Sequence, residues 1–236
     1  MKRIAGLFFT GTDTSVGKTF VMAAVARTLR NQGRRLRVCK PVATGVDGEG
    51  FNEDTRELAE AAGLPGSQWR QVTPWVFPDA VAPPVAAQRQ GVVLNLGELA
   101  EAVAGLAEAD SALLVEGVGG LLCPLTQSHT VADLVAALGM PLIVVARRSL
   151  GTLNHTLLTL AVARQRRLPV AGIVVNETTA PWSLAEETNV EELRRRIDVP
   201  LLAVVPFQDR PTREIPSDLA RVDWWQMCTM IPGPLA

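Results

Sequence analysis

The chain has 236 residues, of which 47% are hydrophobic and 20% charged, and its formal net charge is −1. This balance excludes a disordered protein, and an α/β chain of this length usually forms one domain. We therefore expect a single domain over residues 1–236. The near-neutral charge gives no general electrostatic reason to bind nucleic acid or an anionic membrane, so we expect neither partner.

The cysteines and the N-terminal segment indicate the compartment. Cys39, Cys123 and Cys228 are scattered and form no CxxC pair, which argues against a zinc site and a disulfide framework. Lys2 and Arg3 precede only a short apolar run, a pattern that favours a first strand over a signal peptide. No apolar segment reaches the roughly 18 residues of a membrane helix. We expect a cytoplasmic protein with reduced thiols.

Short apolar runs alternate with helical patterns along the chain. The strand candidates are, in order, IAGLFFT, LRVCKPV, ALLVEGV, PLIVVAR, GIVVN and LLAVVP. The helical patterns cover residues 18–31, 54–62, 96–107, 152–167 and 186–197. Most of the apolar runs lack alternation, as expected for strands buried on both faces. The order predicts an α/β fold with a doubly wound, mostly parallel sheet and helices on both faces, whose ligands bind beyond the carboxyl ends of the strands.

The segment at 74–91, PWVFPDAVAPPVAAQRQG, is rich in proline. Proline cannot donate a backbone hydrogen bond, and inside a helix its ring clashes with the preceding turn. We therefore expect a long ordered loop here, rather than a helix or a central strand.

The segment GTDTSVGKT lies between the first strand and the first helix. Gly17 would let the backbone approach a phosphate, Lys18 would reach the outer phosphates, and the Thr19 hydroxyl could bind Mg²⁺. The helix that begins here directs unpaired N–H groups at the anion. The usual P-loop pattern places glycine at position 12, whereas this chain has Thr12 there and Gly11 one place earlier. The alternative is an ordinary glycine-containing turn.

Two carboxylates could complete a metal site. Glu116 ends the apolar run ALLVE, and three glycines follow it within four positions, which leaves room for phosphates or substrate. Asp54 precedes a helix, with Glu57 three residues later. That spacing is also a good N-cap pattern, so Asp54 could act as a cap, as a metal ligand, or as both.

Two further segments carry candidate ligand contacts. In RVCKPVATG, Lys40 lies at the end of a predicted strand, a position from which its charge could assist phosphoryl transfer; the alternative is a surface lysine. In LGTLNH, Gly151 and Thr152 begin a predicted helix after a strand, which gives a second anion-binding N-terminus. The alternative there is an ordinary helix capped by Thr152.

The segments GTDTSVGKT, KPVATG, EGVGG, LGTLNH and VVNE occur in the order and approximate spacing found in dethiobiotin synthetases. The resemblance extends from Phe8 to about Phe207. It implies a homodimeric, P-loop NTPase-like ligase of biotin biosynthesis. Such an enzyme converts 7,8-diaminopelargonic acid, CO₂ and ATP to dethiobiotin, ADP and phosphate through a carbamate and a carbamic-phosphoric mixed anhydride. Mg²⁺ is the implied cofactor.

The resemblance also implies residue roles by position, with Lys18 and Lys40 as catalytic residues. The implied metal ligands are Thr19, Asp54 and Glu116. The implied ATP-binding residues are Ser15, Val16, Gly17, Lys18, Thr19, Phe20, Asp54, Glu116, Gly117, Gly119, Asn176, Pro206, Phe207 and Gln208. The implied substrate-binding residues are Thr14, Lys40, Thr44, Gly151, Thr152, Leu153 and Asn154. The asparagine of VVNE would recognise adenine, and LGTLNH of a partner subunit would hold the substrate carboxylate.

Several positions depart from the family pattern. Ser15 stands where glutamate is common, and Pro84 replaces a histidine often found there. The chain has no tyrosine, so a partner-subunit tyrosine that contacts substrate in some relatives is absent, with Asn189 near that place. These differences affect the outer substrate contacts and leave the phosphate-binding residues unchanged.

Two other classes of P-loop protein are alternatives. A cobyrinate-type amidase usually carries a further glutaminase domain, for which 236 residues leave no room. A partitioning or septum-positioning ATPase has a signature lysine five residues before the P-loop lysine. Here that position is Asp13, which counts against such a switch.

Overall fold

The computed structural model describes residues 4–46, 52–179, 183–208 and 214–229. Its strands are β1 (Gly6–Gly11), β2 (Arg35–Cys39), β3 (Val42–Thr44), β4 (Trp75–Phe77), β5 (Ser111–Gly120), β6 (Leu142–Arg147), β7 (Val170–Asn176) and β8 (Leu201–Val205). Its helices are α1 (Lys18–Asn31), α2 (Glu53–Ala62), α3 (Trp69–Val72), α4 (Pro83–Arg89), α5 (Leu96–Ala104), α6 (Val131–Leu138), α7 (Thr152–Gln165), α8 (Leu184–Arg194), α9 (Ser217–Ala220) and α10 (Trp224–Thr229). A short 3₁₀ helix at Gly66–Gln68 precedes α3.

Six strands form one parallel sheet in the order β2-β5-β1-β6-β7-β8. Successive side chains of a strand face opposite sides of a sheet. In β1, Leu7 and Phe9 are buried in one apolar cluster, while Phe8 is buried in another. Both faces are therefore covered, which explains why the strand sequences are apolar without alternation. The predicted doubly wound sheet with helices on both faces is confirmed.

The helices divide between the two faces. The cluster that contains Leu7 and Phe9 draws on α1, α2 and α10, whereas the cluster that contains Phe8 draws on α4, α5 and α6. A third cluster joins α7 and α8 to strands β6 and β7. Every helix within the described ranges is too short or too polar to span a bilayer.

The prediction of a loop at 74–91 is wrong. Residues Trp75–Phe77 form β4, which pairs in parallel with β3 as a separate two-stranded sheet. Residues Pro83–Arg89 form α4, which begins with the two adjacent prolines. The first residues of a helix have no intrahelical acceptor for their N–H groups, so proline is tolerated there. The prolines mark where this helix starts.

Other boundaries differ from the sequence prediction. The run LRVCKPV is not one strand, because β2 ends at Cys39 and β3 begins at Val42, on either side of Lys40 and Pro41. Strand β5 continues past Glu116 to Gly120. The predicted helices at 96–107, 152–167 and 186–197 end two to three residues earlier, and the last also begins earlier.

Helix α6 and the helices of the C-terminal region were not predicted from the sequence. Helix α6 begins with a capping box formed by Thr130 and Asp133. The Asp133 carboxylate accepts from the N–H of Thr130 at 2.6 Å and from its hydroxyl at 2.7 Å. The C-terminal region forms α9 and α10, and Trp224 of α10 is fully buried, with Nε1 donating to Leu219 O at 2.7 Å. The N-terminal Lys2 and Arg3 and the segment 230–236 lie outside the described residues.

Candidate active site

The loop between β1 and α1 has the backbone shape of a phosphate-binding loop. Gly17 has φ 89° and Ser15 has φ 56°, both in the left-handed region. A Cβ on Gly17 would lie 2.1 Å from Asn176 Nδ2, and one on Gly11 would lie 2.6 Å from a backbone oxygen of the loop. Glycine is therefore required at both positions. Gly11 stands one place before the usual glycine, and its lack of a side chain lets the backbone at Asp13 pass close to it.

This loop opens into a cavity of about 400 Å³ at the carboxyl ends of β1, β2 and β5. The predicted site residues that line it are Thr14, Ser15, Gly17, Lys18, Thr19, Phe20, Lys40, Thr44, Asp54, Glu116 and Gly119. Three further polar residues line the cavity and were not singled out as ligand contacts: Asn52, Glu57 and Thr178. The predicted convergence of loop, lysine and carboxylates on one edge of the sheet is thus present in the structure.

Four side chains from different elements form one hydrogen-bonded cluster in this cavity. Thr19 Oγ1 donates to Asp54 Oδ1 and to Glu116 Oε1, each at 3.0 Å. Lys40 Nζ donates to Glu116 Oε1 at 2.8 Å and also to Asp54. The Lys40 and Glu116 side chains are only 7% and 1% exposed. Neither is a surface side chain, so the alternative that Lys40 is a surface lysine is wrong.

The pKa shifts follow from burial and pairing. Burial alone would lower the pKa of Lys40, but the carboxylates of Glu116 and Asp54 outweigh it and raise that pKa. Burial alone would raise the pKa of Asp54, but the charge and hydrogen bonds of its partners, Lys40 first, lower it. Burial lowers the pKa of Lys18, whose Nζ lies 3.3 Å from Asp13 O. Lys40 is therefore the cation that balances the two carboxylates in this structure.

Asp54 is not the N-cap of α2. That position belongs to Asn52, whose Oδ1 accepts from the N–H and the hydroxyl of Thr55, both at 2.9 Å. Asp54 is the second residue of the helix, and its carboxylate turns to Thr19 and Lys40 instead. The capping alternative is therefore wrong, and Asp54 is committed to the cluster.

The residues predicted to contact the base lie at the ends of the two neighbouring strands β7 and β8. Asn176 is buried, pairs in register with Val205, and donates from Nδ2 to Val16 O at 3.0 Å. Pro206, Phe207 and Gln208 follow β8 directly, and the N–H of Phe207 donates to Glu177 Oε2 at 3.0 Å. These residues do not line the 400 Å³ cavity. Their role in recognising adenine stays a prediction.

The LGTLNH segment also lies apart from that cavity in the same chain. The N-cap of α7 is Gly151, with φ 93° and no side-chain cap, so the alternative of a helix capped by Thr152 is wrong. Thr152 is the first helical residue, and its buried hydroxyl has no partner among the described residues. The preceding Leu150 is 85% exposed. Leu153 and Asn154 follow in the first turn, and the substrate role of the segment stays a prediction.

The oxygen ligands of the cluster fit Mg²⁺. Within the described ranges no group of three or more histidine, cysteine or acidic side chains could hold a metal. The cluster instead offers the Thr19 hydroxyl and two carboxylates, a set that suits a hard cation completed by water and phosphate oxygens. Glu116 Oε2 is buried without a partner, so this carboxylate keeps a free acceptor inside the site.

The chain is similar to a known family and to named proteins over most of its length. A family model described as an AAA domain matches residues 5–214. The ATP-dependent dethiobiotin synthetase BioD of Anaeromyxobacter dehalogenans (strain 2CP-C) is 42% identical over 220 residues, covering 91% of this chain and 97% of that protein. The BioD of Bacillus subtilis (strain 168) is 35% identical over 209 residues, covering 89% and 90%.

A solved structure, the ParA family ATPase of Chlorobium tepidum TLS, aligns over 95% of this chain and 93% of its own at 13% identity and a TM-score of 0.49. That likeness is too distant to bear on function. The parallel sheet and its glycine-dependent loop, together with the AAA match, define a nucleotide-binding enzyme of the P-loop class. The chain belongs to the ATP-dependent dethiobiotin synthetase family, and it is an ATP-dependent ligase of biotin biosynthesis.

Proposed function

We propose that the protein closes the ureido ring of dethiobiotin from 7,8-diaminopelargonic acid, CO₂ and ATP, with release of ADP and phosphate. The observation that carries the proposal is the hydrogen-bonded cluster of Lys40, Thr19, Asp54 and Glu116 at the open side of the P-loop, in which Lys40 and Glu116 are buried. A simple nucleotide-binding site needs only the loop and the metal ligands. The additional buried lysine adds a positive charge where a second anionic group could be bound.

The proposed nucleotide site is the P-loop with the carboxylates beside it. Lys18 and the N–H groups at the start of α1 would bind the outer phosphates, since they present positive charge to the cavity. Thr19, Asp54 and Glu116 would hold Mg²⁺. When bound, the ion supplies a charge that offsets the negative charge of the phosphates during phosphoryl transfer. Asn176 and the segment 206–208 are the proposed adenine contacts.

The proposed chemistry proceeds through two covalent intermediates, a carbamate and a carbamic-phosphoric mixed anhydride. One uncharged amine of the substrate adds to CO₂ and loses a proton, giving a carbamate. A carbamate oxygen attacks the γ-phosphorus and expels ADP, and the second amine then displaces phosphate from the mixed anhydride. The ammonium groups of Lys18 and Lys40 would stabilise the negative charge that gathers on the carbamate and the transferred phosphoryl group. Thr14 and Thr44 would orient the substrate by hydrogen bonds.

A homodimer would supply the remaining substrate contacts. Helix α7 buries Thr152, Thr156 and Thr159 as well as Leu160, while Leu158 of this helix is 57% exposed and Leu150, which precedes it, is 85% exposed. Exposed leucines beside a helix that buries threonines favour a contact with another subunit. The segment 151–154 of that partner would then hold the substrate carboxylate at a helix N-terminus.

The proposal includes one domain over residues 1–236 in the cytoplasm. All three cysteines, Cys39, Cys123 and Cys228, are free thiols, which supports a reducing compartment. The switch and amidase alternatives have less support, because relatives that this chain matches over nearly their whole length carry the synthetase name.

Conversion of the substrates tests the proposal directly. The protein is incubated with Mg-ATP, ¹³C-bicarbonate and 7,8-diaminopelargonic acid, and mass spectrometry follows labelled dethiobiotin while a second assay follows ADP. We expect one ADP and one labelled product per turnover, and no product when the diamine or ATP is left out. ADP release that is independent of the diamine, or that requires glutamine, would contradict the proposal.

A further inference from the structure

Two side chains at neighbouring strand ends bind consecutive carbonyl groups of the P-loop. Nη2 of Arg147, the last residue of β6, donates to Thr14 O at 3.1 Å and to Ser15 O at 3.3 Å. Nδ2 of Asn176, the last residue of β7, donates to Val16 O at 3.0 Å. Arg147 and Asn176 are paired in register, so they form adjacent supports beneath the loop.

These bonds bear on the direction of the loop's N–H groups. Carbonyl groups 14, 15 and 16 all accept from side chains that the sheet presents, and the carbonyl of Asp13 accepts from Lys18 Nζ at 3.3 Å. A peptide unit is planar with its N–H opposite its C=O, so fixing the carbonyl direction also fixes the N–H direction. Phosphate binding in a P-loop depends on those N–H groups facing the ligand.

The loop also needs an external restraint. Ser15 adopts φ 56°, a conformation that non-glycine residues rarely take and that persists only where surrounding contacts determine it. Arg147 binds the carbonyl of that same residue and of the one before it. The part of the chain that the structure describes gives Arg147 no ion pair, and its buried Nε has no partner. Its hydrogen bonds to the loop are therefore its principal polar contacts.

We infer that Arg147 is a positioning residue for nucleotide binding: it holds the P-loop, including the strained Ser15, in the conformation that receives phosphate. The inference rests on the proposed nucleotide site but not on the identity of the diamine. It assigns Arg147 an effect through the loop rather than a contact with the reacting atoms. Lysine can replace it only in part, because its ammonium offers the N–H groups on a shorter stem.

Hydrogen exchange of the nucleotide-free protein tests the restraint itself. Arg147→Gln removes both loop bonds, and Arg166→Gln is the matched control, since Arg166 pairs with Asp133 on another part of the surface. We expect faster exchange of the amides of residues 13–17 in Arg147→Gln, intermediate exchange in Arg147→Lys, and wild-type exchange in Arg166→Gln. Faster exchange throughout the sheet, without selectivity for the loop, would overturn the inference.

Nucleotide binding and kinetics test the consequence. Removing an interaction made equally in the ground and transition states raises KM and leaves kcat unchanged. For Arg147→Gln we expect about a tenfold loss of affinity for Mg-ADP and about a tenfold higher KM for ATP, the size expected for lost charged hydrogen bonds. The KM for the diamine and kcat should stay at wild type, and Arg147→Lys should fall between.

The two hypotheses fail in different ways. If wild-type protein binds Mg-ADP but makes no dethiobiotin, the proposed function fails. The inference about Arg147 is then still tested by the Mg-ADP affinity of Arg147→Gln relative to wild type. If Arg147→Gln binds Mg-ADP like wild type, or loses kcat with an unchanged KM for ATP, the inference about Arg147 is overturned. If wild type binds no nucleotide, both are overturned.

Discussion

Replacing Lys40 by glutamine separates its electrostatic role from its catalytic one. The substitution removes the ammonium that contacts Glu116 Oε1 at 2.8 Å and also binds Asp54. Glu116 is 1% exposed, so its carboxylate would be left poorly solvated without this partner. At an effective dielectric constant of 20, two unit charges at that separation attract by about 6 kcal/mol before desolvation is counted.

The net loss of stability is smaller than the Coulomb term. Removing one partner of a buried ion pair typically costs 3–5 kcal/mol. Asp54 is 40% exposed and Lys18 remains nearby, so we expect about 3 kcal/mol, the low end of that range. For a chain of this size that corresponds to a decrease in Tm of roughly 6–12 °C. Mg²⁺ should restore more stability to Lys40→Gln than to wild type, because a divalent cation can replace the missing charge.

Thermal unfolding and kinetics measure the two roles. Tm is recorded without metal and with added Mg²⁺, with Arg37→Gln on the adjoining strand as the control for loss of a positive charge. In turnover assays, kcat with the diamine should fall by on the order of 10²–10³, while affinity for nucleotide changes far less. An unchanged Tm, or equal losses in kcat and nucleotide affinity, would refute the electrostatic account of Lys40.

Three further predictions concern the same cavity. Lys18→Ala should abolish turnover while circular dichroism shows an intact fold, since Lys18 lines the cavity and does not belong to the apolar core; wild-type turnover would end the P-loop interpretation. Glu116→Gln should weaken Mg²⁺ binding, with partial rescue by raised Mg²⁺ or by Mn²⁺; an identical metal titration would reassign this residue to structure. Burial raises the pKa of Glu57 above its usual 4.5, so its ionised form opposes folding as pH rises past that value. Glu57→Gln should therefore raise Tm at pH 7 but not at pH 4, and a pH-independent difference would contradict this.

The sequence carried enough information for the sheet and the convergence of the site. Carboxyl ends of parallel strands meet at one edge, so the positions of Lys18, Lys40 and Glu116 after successive strands placed them together. The amino-acid composition contains a further indication of the site. Lysine occurs only three times in the chain, and two of those lysines are the buried pair Lys18 and Lys40. Because arginine supplies nearly all the basic residues of this chain, the choice of lysine at a strand end is itself evidence for a functional role.

The sequence patterns did not predict the N-cap of α2, the start of α4 or the role of Arg147. Asn52 and Asp54 can each cap a helix, and no local sequence pattern shows that Asn52 is the cap while Asp54 contacts Thr19 and Lys40. The prolines of the 74–91 segment are compatible with a helix that begins at Pro83, which a count of prolines does not reveal. Arg147 was overlooked because an arginine ending a strand has no sequence pattern that indicates contact with a loop far away in the chain.

The burial of Trp224 has a consequence for synthesis of the protein on the ribosome. Trp224 is fully buried in the same cluster as Leu7 and Phe9 of β1, the strand that ends in the P-loop. Until α10 has left the ribosome, a nascent chain that contains every strand of the sheet still exposes the apolar surface that Trp224 covers. The P-loop is translated well before α10, yet packing of its supporting strand depends on that helix. Nucleotide should therefore bind a chain that includes α10 far better than a ribosome-held chain in which α10 is still missing.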